Sequence, residues 1–286
     1  MASRGAEVQQ WTTVIGPVGG WFDLHLSELW RYRDLVSLFV RRDFVAYYSQ
    51  TILGPLWYVL QPILTTLMFI LVFGRVARLP TDGVPPSLFY MTGVVAWSYF
   101  AACVSRTSTT FASNASLFGK VWFPRLAVPV SVVISSLIAF AIQLALLALM
   151  IGWALLRGEI AGPGPGLLLL PLLLLQMGLL ALGFGIVVSS MTTRYRDLAH
   201  LVTFGVQLWM FATPVVYPAS AVPARWSWLM YANPMASPVE AFRLILLGAG
   251  TAKPGQLAAS ALLTFCILAL GVVLFSRVEK SFMDTV

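Results

Sequence analysis

Six stretches of this chain, between 17 and 28 residues long, contain no aspartate, glutamate, lysine or arginine. An apolar run of about 20 residues crosses a hydrocarbon core of roughly 30 Å as an α-helix, and soluble domains rarely need one. The sequence therefore predicts an all-α integral membrane protein with six transmembrane helices. The predicted spans are Gly54–Phe73, Leu88–Val104, Leu126–Trp153, Leu167–Met191, Leu198–Val216 and Gln256–Phe275.

The composition agrees with this class, because 59% of the residues are hydrophobic and only 10% are charged. We predict two regions, a cytoplasmic N-terminal segment of residues 1–53 and a six-span transmembrane domain of residues 54–286. With both termini in the cytoplasm, 12 of the 18 Lys and Arg residues lie inside and 6 outside, as expected for a multi-pass membrane protein. The net charge of +7 suits basic rims that face anionic membrane lipids. Nucleic acid is not an expected partner, since no large soluble basic surface is available.

Residues 28–42 have the pattern of an amphipathic helix. Leu29, Val36 and Phe39 project within an arc of about 100°, whereas the basic residues point to the other side. We interpret this segment as a helix in the cytoplasmic membrane interface. A surface anchor with no further role is an equally open interpretation.

Several kinds of site are missing from the sequence. No acidic residue lies inside a predicted span, so a proton relay of the kind that many carriers use is not expected. The phosphate-binding pattern GxxxxGK[ST] does not occur, and an ATP site of that type is therefore not in this chain. His25 and His200 have no metal-ligand partners at useful spacing, and no metal site is predicted. Energy for transport is expected to enter from outside the membrane.

Two short segments resemble a known family. The first runs RRDFVAYYSQTILGPLW over residues 41–57 and continues to Gln61-Pro62, and the second comprises Lys120 with Phe123-Pro124-Arg125. Gly54-Pro55 is expected to break the interfacial helix, and Pro62 to kink the first span. In this order the residues resemble the membrane subunit of bacterial polysaccharide ABC exporters, the family that exports O-antigen, capsule and teichoic acid chains.

The resemblance implies a channel-forming subunit of an ATP-driven exporter in the bacterial inner membrane. The subunit would form a homodimer and bind two copies of a separate cytoplasmic ATPase. No cofactor is expected in this chain, since ATP and Mg would be bound by the partner ATPase, and this subunit would not itself be an enzyme. The resemblance also implies a polysaccharide linked to undecaprenyl pyrophosphate or a similar lipid.

Two groups of site residues follow from the resemblance. Arginine side chains match phosphate oxygens in bidentate fashion, and those on the N-terminal helix are candidates for attracting the lipid diphosphate. These are Arg31, Arg33, Arg41 and Arg42. The loop after the second span resembles the coupling helix that docks on the ATPase, and its aromatic and basic residues suit a protein contact. Its candidates are Asn114, Lys120, Phe123, Pro124 and Arg125. An anchor with an interfacial Trp122 is the alternative interpretation.

The region Tyr217–Gly255 is too polar to span the membrane and too apolar for a free loop. Within it, Ser237 and Glu240 have the spacing of a capping box, and Gly248 supplies a stop. The helix between them, about 15 Å long, crosses only half of the bilayer. Together with an earlier short helix at Ala224–Met230, it resembles the re-entrant pair that precedes the last span in this family. The capping role suffices to explain Glu240.

Four aromatic side chains of the second span project from one face, namely Phe89, Tyr90, Trp97 and Phe100. Aromatic rings offer platforms on which sugar rings stack and slide, so we predict that these residues line the substrate channel. Packing between helices is the competing interpretation.

Three other functions fit parts of the pattern. An ABC exporter for a small lipid, drug or antibiotic would use the same six-span plan. A secondary carrier could bind sodium through hydroxyls and backbone carbonyls. A membrane glycosyl- or phosphotransferase would need an acidic cluster at the membrane surface, whereas Asp23, Glu28, Asp34 and Asp43 are spread along one N-terminal helix.

Overall fold

A computed structural model of the protein describes residues 26–48, 52–118, 120–121, 123–192, 195 and 197–281. This part of the chain consists of helices joined by short loops, without a β-strand. The α-helices are α1 (Leu26–Arg31), α2 (Arg33–Tyr48), α3 (Trp57–Phe69), α4 (Pro86–Thr107), α5 (Thr110–Ser113), α6 (Ala115–Phe118), α7 (Ala127–Leu156), α8 (Leu170–Thr192), α9 (Leu198–Ala212), α10 (Trp228–Ala232), α11 (Ala236–Leu247) and α12 (Pro254–Ser281). His25 and Trp122, considered above, lie outside the described residues.

Within the described residues, five helical segments are long and apolar enough to cross a membrane. They contain α3, α4, α7, α8 and α12, and they coincide with five of the six predicted spans. The segments are Gly54–Val76, Pro86–Thr107, Ala127–Leu156, Gly166–Thr192 and Pro254–Val278. The predicted class, an all-α integral membrane protein, is confirmed.

The predicted fifth span, Leu198–Val216, is represented by the shorter helix α9. This helix has 15 residues and is about 22 Å long. It ends because Pro214 follows, and the residue before a proline is disfavoured in the α conformation. Thr213 is accordingly extended, with φ −104° and ψ 144°. A count of six complete spans stays a prediction.

The first span begins at a sharp turn. Gly54 has a left-handed φ of 48°, and Pro55 follows it in a 3-10 turn over Gly54–Leu56. Such a φ favours glycine, which explains how the chain changes direction here. A turn is therefore present at Gly54-Pro55, but α2 already ends at Tyr48, so a break of the interfacial helix by these two residues stays a prediction. Pro62 lies inside α3, which continues into a π-helical segment at Ile70–Val76, and the kink expected at Pro62 stays a prediction.

The core surrounds α4, which packs against α3, α7, α8, α9 and α11. Fifteen of its 22 residues are buried, on every face of the helix.

The helices α8 and α12 approach each other more closely than side chains would permit. A Cβ atom on Gly183 would lie 2.9 Å from the backbone N of Leu268, and one on Gly271 would lie 2.8 Å from the carbonyl oxygen of Gly183. These two helices therefore pack backbone to backbone.

The bundle has two distinct ends. At the end that we call the α2 end, α2 packs against α7, and the predicted apolar face of the amphipathic helix buries Val36 and Phe39. These side chains join a cluster with Phe111, Phe118 and Phe123, so protein covers this face of α2. The opposite end, which we call the α11 end, carries α10, α11 and the start of α12. The short helix predicted at Ala224–Met230 is there a 3-10 turn, Ala224–Trp226, followed by α10.

Candidate functional site

A cleft of about 490 Å³ lies between α3, α4, α7 and α9. Its walls combine amides, hydroxyls and aromatic rings, although the helices that form it are strongly apolar. The lining includes Tyr58, Gln61, Thr65, Trp97, Ser98, Tyr99, Ser105, Arg106, Ser136, Phe140, Gln143, Thr203 and Gln207.

The polar residues of the cleft explain why it is not filled by apolar packing. The Ser98 hydroxyl donates a hydrogen bond of 2.6 Å to the Gln143 side-chain oxygen, which joins α4 to α7. Gln61 and Gln207 enter from α3 and α9, and both are exposed. A polar group at membrane depth is costly unless it is hydrogen-bonded or lines a water-filled path. The cleft therefore offers hydrogen-bonding groups that suit a polyhydroxylated ligand.

Of the four aromatic residues predicted to line a channel, Trp97 alone lines this cleft. Phe89, Tyr90 and Phe100 have no exposed surface, because neighbouring helices enclose α4 on all sides. The Phe89 ring packs edge-on against Tyr90, with the ring centroids 5.4 Å apart. For these three residues the structure favours the competing interpretation, packing between helices. Trp97 itself is only 5% exposed, because it packs against Phe100 and Trp209, and its role toward a substrate stays a prediction.

Arg106 lines the cleft at the α2 end. Its guanidinium donates hydrogen bonds to the hydroxyls of Ser135, at 3.2 Å, and Ser136, at 3.4 Å. It also donates to a carboxylate oxygen of Asp43 at 3.0 Å, and Arg42 donates to the other oxygen at 3.0 and 3.2 Å. One carboxylate of α2 therefore bridges two arginines, one from its own helix and one from α4.

A second, smaller cavity of about 380 Å³ lies beside this bridge. Arg106 lines both cavities and so forms the boundary between them. The smaller cavity is lined by Arg42, Asp43, Arg106, Thr109, Thr110, Ser113, Asn114, Val128 and Val132. Sequence reasoning did not select Asp43 or Arg106 as site residues, because each one alone looks like an ordinary charge near the end of a helix.

The four arginines predicted to attract a lipid diphosphate are not equivalent. Arg42 reaches the smaller cavity and also packs over the Phe39 ring, 4.9 Å from its centroid. Arg31, Arg33 and Arg41 are exposed on α1 and α2, and they do not line that cavity. Of the four, Arg42 therefore lies beside the smaller cavity, together with Arg106, and a role of any of them toward a lipid diphosphate stays a prediction.

The predicted coupling loop is partly buried beneath α2. The Phe123 ring packs between Phe39 and Phe118, at centroid distances of 5.7 Å from each, and Arg125 lies over the Phe118 ring. Because Phe123 and Arg125 are both buried, the structure favours a packing role for them over direct docking on an ATPase. Lys120 is exposed beside an exposed Val121.

The other two coupling candidates are half-buried. Asn114 donates a hydrogen bond of 3.0 Å to the Thr110 carbonyl, and Pro124 follows the buried Phe123. Asn114 thereby holds the turn between α5 and α6. A role for Asn114, Lys120 or Pro124 toward an ATPase stays a prediction.

At the α11 end, the capping box predicted for Ser237 and Glu240 is wrong. Because α11 begins at Ala236, Ser237 lies inside the helix, and its hydroxyl is buried without a hydrogen-bond partner in the described part of the chain. Glu240 instead pairs with Arg243, one turn further along α11. The Glu240 carboxylate is therefore engaged by a charge-assisted contact with Arg243 and does not cap the start of α11. The predicted stop is confirmed, since Gly248 has a left-handed φ of 71°.

The Glu240–Arg243 pair ties together three segments of the α11 end. Glu240 accepts hydrogen bonds from the backbone N–H groups of Ala219, at 3.4 Å, and Thr251, at 3.0 Å. Arg243 donates to the carbonyls of Pro214 and Val215, at 3.0 and 3.3 Å. The end of α9, the segment before α10 and the segment before α12 are thus fixed to one ion pair.

Comparison with known proteins agrees with this architecture. The family model described as ABC-2 type transporter matches residues 34–247, from α2 through α11. A relative from Myxococcus xanthus, named O-antigen export system permease protein RfbA, is 29% identical over 91% of this chain and 98% of its own length. A Klebsiella pneumoniae protein of the same name is 24% identical over 88% of this chain and 94% of its own length. These matches confirm the resemblance seen in the sequence, and the chain belongs to the ABC-2 type transporter family of membrane proteins.

Proposed function

We propose that this chain is the channel-forming membrane subunit of an ATP-driven exporter that moves lipid-linked polysaccharide across the bacterial inner membrane. Membership of the ABC-2 family supports a transport role, and the relatives named for O-antigen export support the substrate class. The observation that carries the proposal is the cleft of about 490 Å³, whose amides, hydroxyls and aromatic rings lie between strongly apolar helices.

The chemistry of the cleft suits a neutral sugar polymer. Gln61, Gln143 and Gln207 offer amide donors and acceptors that replace the water around sugar hydroxyls. Tyr58 offers a ring surface on which a sugar can stack. Uncharged contacts of this kind are individually weak, so a chain can slide through them. Among the described residues that line the cleft, the positive charge is confined to Arg106, where a charged lipid carrier would be held.

Two helices that border the cleft, α3 and α9, expose apolar side chains. Only 11% of the residues in the most apolar part of the first span are buried. Leu64 and Leu67 are exposed on α3, as are Phe204 and Leu208 on α9. A second copy of this chain would cover these surfaces and close the cleft, so that two copies form one channel. Membrane lipids would cover the outer faces of the dimer.

ATP and Mg would be bound by two copies of a separate cytoplasmic ATPase. In this arrangement the α2 end and both termini face the cytoplasm, and the exposed Lys120 in the 106–125 loop faces the ATPase. Force on this loop would reach the cleft through Arg106, which lies in the last turn of α4 and lines both cavities. The membrane subunit would thereby move substrate without carrying out any chemistry itself.

Deletion of the gene tests the proposal directly. Cells without it should lose surface polysaccharide and accumulate lipid-linked polysaccharide on the cytoplasmic side, and the wild-type gene should restore export. Gln61→Leu and Gln207→Leu should each reduce this rescue, because they remove amides from the cleft. Gln256→Leu is a matched control, since it makes the same change at the start of α12, outside the cleft. Unchanged surface polysaccharide after deletion would contradict the proposed function.

A further inference from the structure

Arg42 and Arg106 are arranged as in an anion-binding site, and the carboxylate of Asp43 occupies the position of the bound anion. We propose that Arg42 and Arg106 bind the phosphate groups of a lipid headgroup, the diphosphate of the substrate's lipid carrier, and that Asp43 competes with it for the same two guanidinium groups. This proposal rests on the proposed function, to which it adds a site, a ligand class and a competitor. The site lies between α2 and the end of α4, beside the smaller cavity.

The two guanidinium groups already share one anion. Arg42 contacts one carboxylate oxygen of Asp43 and Arg106 contacts the other, each at 3.0 Å. A phosphate group presents oxygens to a pair of guanidinium groups in the same way, and charge-assisted contacts of this kind are the strongest that arginine forms. Asp43 is only 14% exposed, whereas both arginines are nearly half-exposed. The guanidinium groups are therefore accessible to a second anion.

The charges at the bridge do not balance. Among the described residues, Arg42, Asp43 and Arg106 are the charged ones that line the cavity, and together they carry a net charge of +1. A single carboxylate therefore leaves one positive charge uncompensated. A diphosphate carries more negative charge than a carboxylate and has more oxygens to share between two arginines. It is thus the better partner for both, provided that Asp43 turns aside.

The remaining lining residues supply neutral donors. The hydroxyl of Thr110 is buried and has no hydrogen-bond partner in the described part of the chain, although the residue lines the cavity. A buried polar group without a partner destabilises the protein, so a ligand oxygen that satisfies it would be favoured. Thr109, Ser113 and Asn114 add further polar side chains around the same space.

The position of the site fits the direction of the cleft. Arg106 lines the smaller cavity and also contacts Ser136, which lines the larger one. A headgroup held at Arg106 would therefore present its first sugar to the cleft. Because of Asp43, a ligand needs enough negative charge to displace the carboxylate from the two arginines. A weakly charged headgroup displaces it less readily than a diphosphate does. The bridge would then select the carrier over ordinary phospholipids.

The test uses the purified complex of the permease with its ATPase, in nanodiscs of phosphatidylcholine. Undecaprenyl pyrophosphate is titrated in one arm and phosphatidylglycerol in a second arm, with bound lipid measured by native mass spectrometry. Asp43→Asn should tighten binding of undecaprenyl pyrophosphate about tenfold, because it removes the competing charge. Asp43→Glu should return it to the wild-type value. Arg42→Gln and Arg106→Gln should each weaken binding about tenfold or more.

Arg277→Gln is the matched control, since it removes an exposed positive charge outside the cavity. It should leave the affinity unchanged. Unchanged or weaker binding in Asp43→Asn would overturn the proposed competition, and unchanged binding in Arg106→Gln would overturn the site. An equal gain for phosphatidylglycerol would overturn the assignment to the diphosphate carrier. None of these binding results would contradict the proposed function, because wild-type cells would still export polysaccharide. The proposed function fails only if the deletion strain keeps its surface polysaccharide.

Discussion

The two ends of the bundle use the same residue types in opposite ways. At the α11 end, Glu240 and Arg243 are almost completely buried, lie one turn apart on a single helix, and bind neighbouring backbone groups. At the α2 end, Asp43 joins Arg42 of its own helix to Arg106 of a distant one, and both arginines are nearly half-exposed beside a cavity. A closed, buried pair fixes the structure around it, whereas an open bridge can exchange its partner. The surroundings of an ion pair therefore indicate its role better than its residues do.

The expected energies follow this difference. Removing one partner of a buried pair leaves an uncompensated charge and costs about 3–5 kcal/mol, whereas exposed pairs contribute about 0–1 kcal/mol. The α11 end should therefore depend strongly on its ion pair for stability. The α2 end should depend on its apolar cluster instead, with the bridge left free for binding.

The largest effect is expected for Glu240→Gln. Arg243 would keep its charge inside the protein without a carboxylate, at a cost of about 3–5 kcal/mol. The melting temperature of the purified protein should fall clearly, and the expressed amount with it. Glu159→Gln is the control, because Glu159 pairs with Arg157 at 3.8 Å on an exposed surface. Equal melting temperatures for the two variants would contradict a structural role for the buried pair.

Phe123→Ala should have the next largest effect and should act at the α2 end. Truncating a buried aromatic ring costs about 3–5 kcal/mol in a packed core, and less where the surroundings can collapse into the space. We expect a lower melting temperature and loosening of α2, which hydrogen exchange of residues 33–48 would detect. Unchanged exchange in α2 would show that the aromatic cluster does not hold this helix.

Lys120→Glu changes the exposed part of the same loop and should affect binding without affecting stability. The side chain lies outside the aromatic cluster, so the melting temperature should stay at the wild-type value. Reversal of its charge should reduce the amount of ATPase that co-purifies with the membrane subunit. Full ATPase binding by this variant would exclude the exposed lysine from docking.

A small effect on stability is expected for Asp43→Asn. The bridge is partly open to solvent, so its loss should cost less than about 1 kcal/mol after screening by water. The melting temperature should therefore change far less than for Glu240→Gln. A loss as large as that of Glu240→Gln would make the two ends alike and would remove the contrast on which the exchange of partners depends.

Salt should have the smallest effect and should distinguish the ends without any mutation. Between 0.1 M and 1 M salt the Debye length falls from about 10 Å to about 3 Å, which weakens exposed pairs much more than buried ones. Hydrogen exchange should become slightly faster in α2 and stay constant in α11. Equal acceleration at both ends would show that the buried pair is accessible to ions.

The features that depend on local composition could be predicted from the sequence. The long spans, the amphipathic helix, the turn at Gly54-Pro55 and the stop at Gly248 each follow from residues within a few positions of one another. The early end of α9 has a local cause too, since Pro214 disfavours the helical conformation at Thr213. The apolar run that continues past this proline outweighed that signal in the sequence prediction.

The features that depend on distant contacts could not be predicted in this way. A helical wheel places four aromatic residues on one face of α4, which suggested a channel lining, but neighbouring helices enclose the whole helix, so Phe89, Tyr90 and Phe100 lie in the core. The capping box failed because α11 begins at Ala236, before Ser237, and because Glu240 pairs with Arg243. The bridge between Asp43 and Arg106 joins residues 63 positions apart, and the sequence contains no local signal for it.

The glycine contact between α8 and α12 has a mechanical consequence. The backbones of α8 and α12 are in contact at Gly183 and Gly271 and cannot slide or tilt without collision. These two helices are therefore expected to move as one rigid body. The first span has no comparable anchorage, because only 11% of the residues in its most apolar part are buried. Any widening of the cleft should therefore come from movement of α3 relative to α8 and α12, which would stay in place.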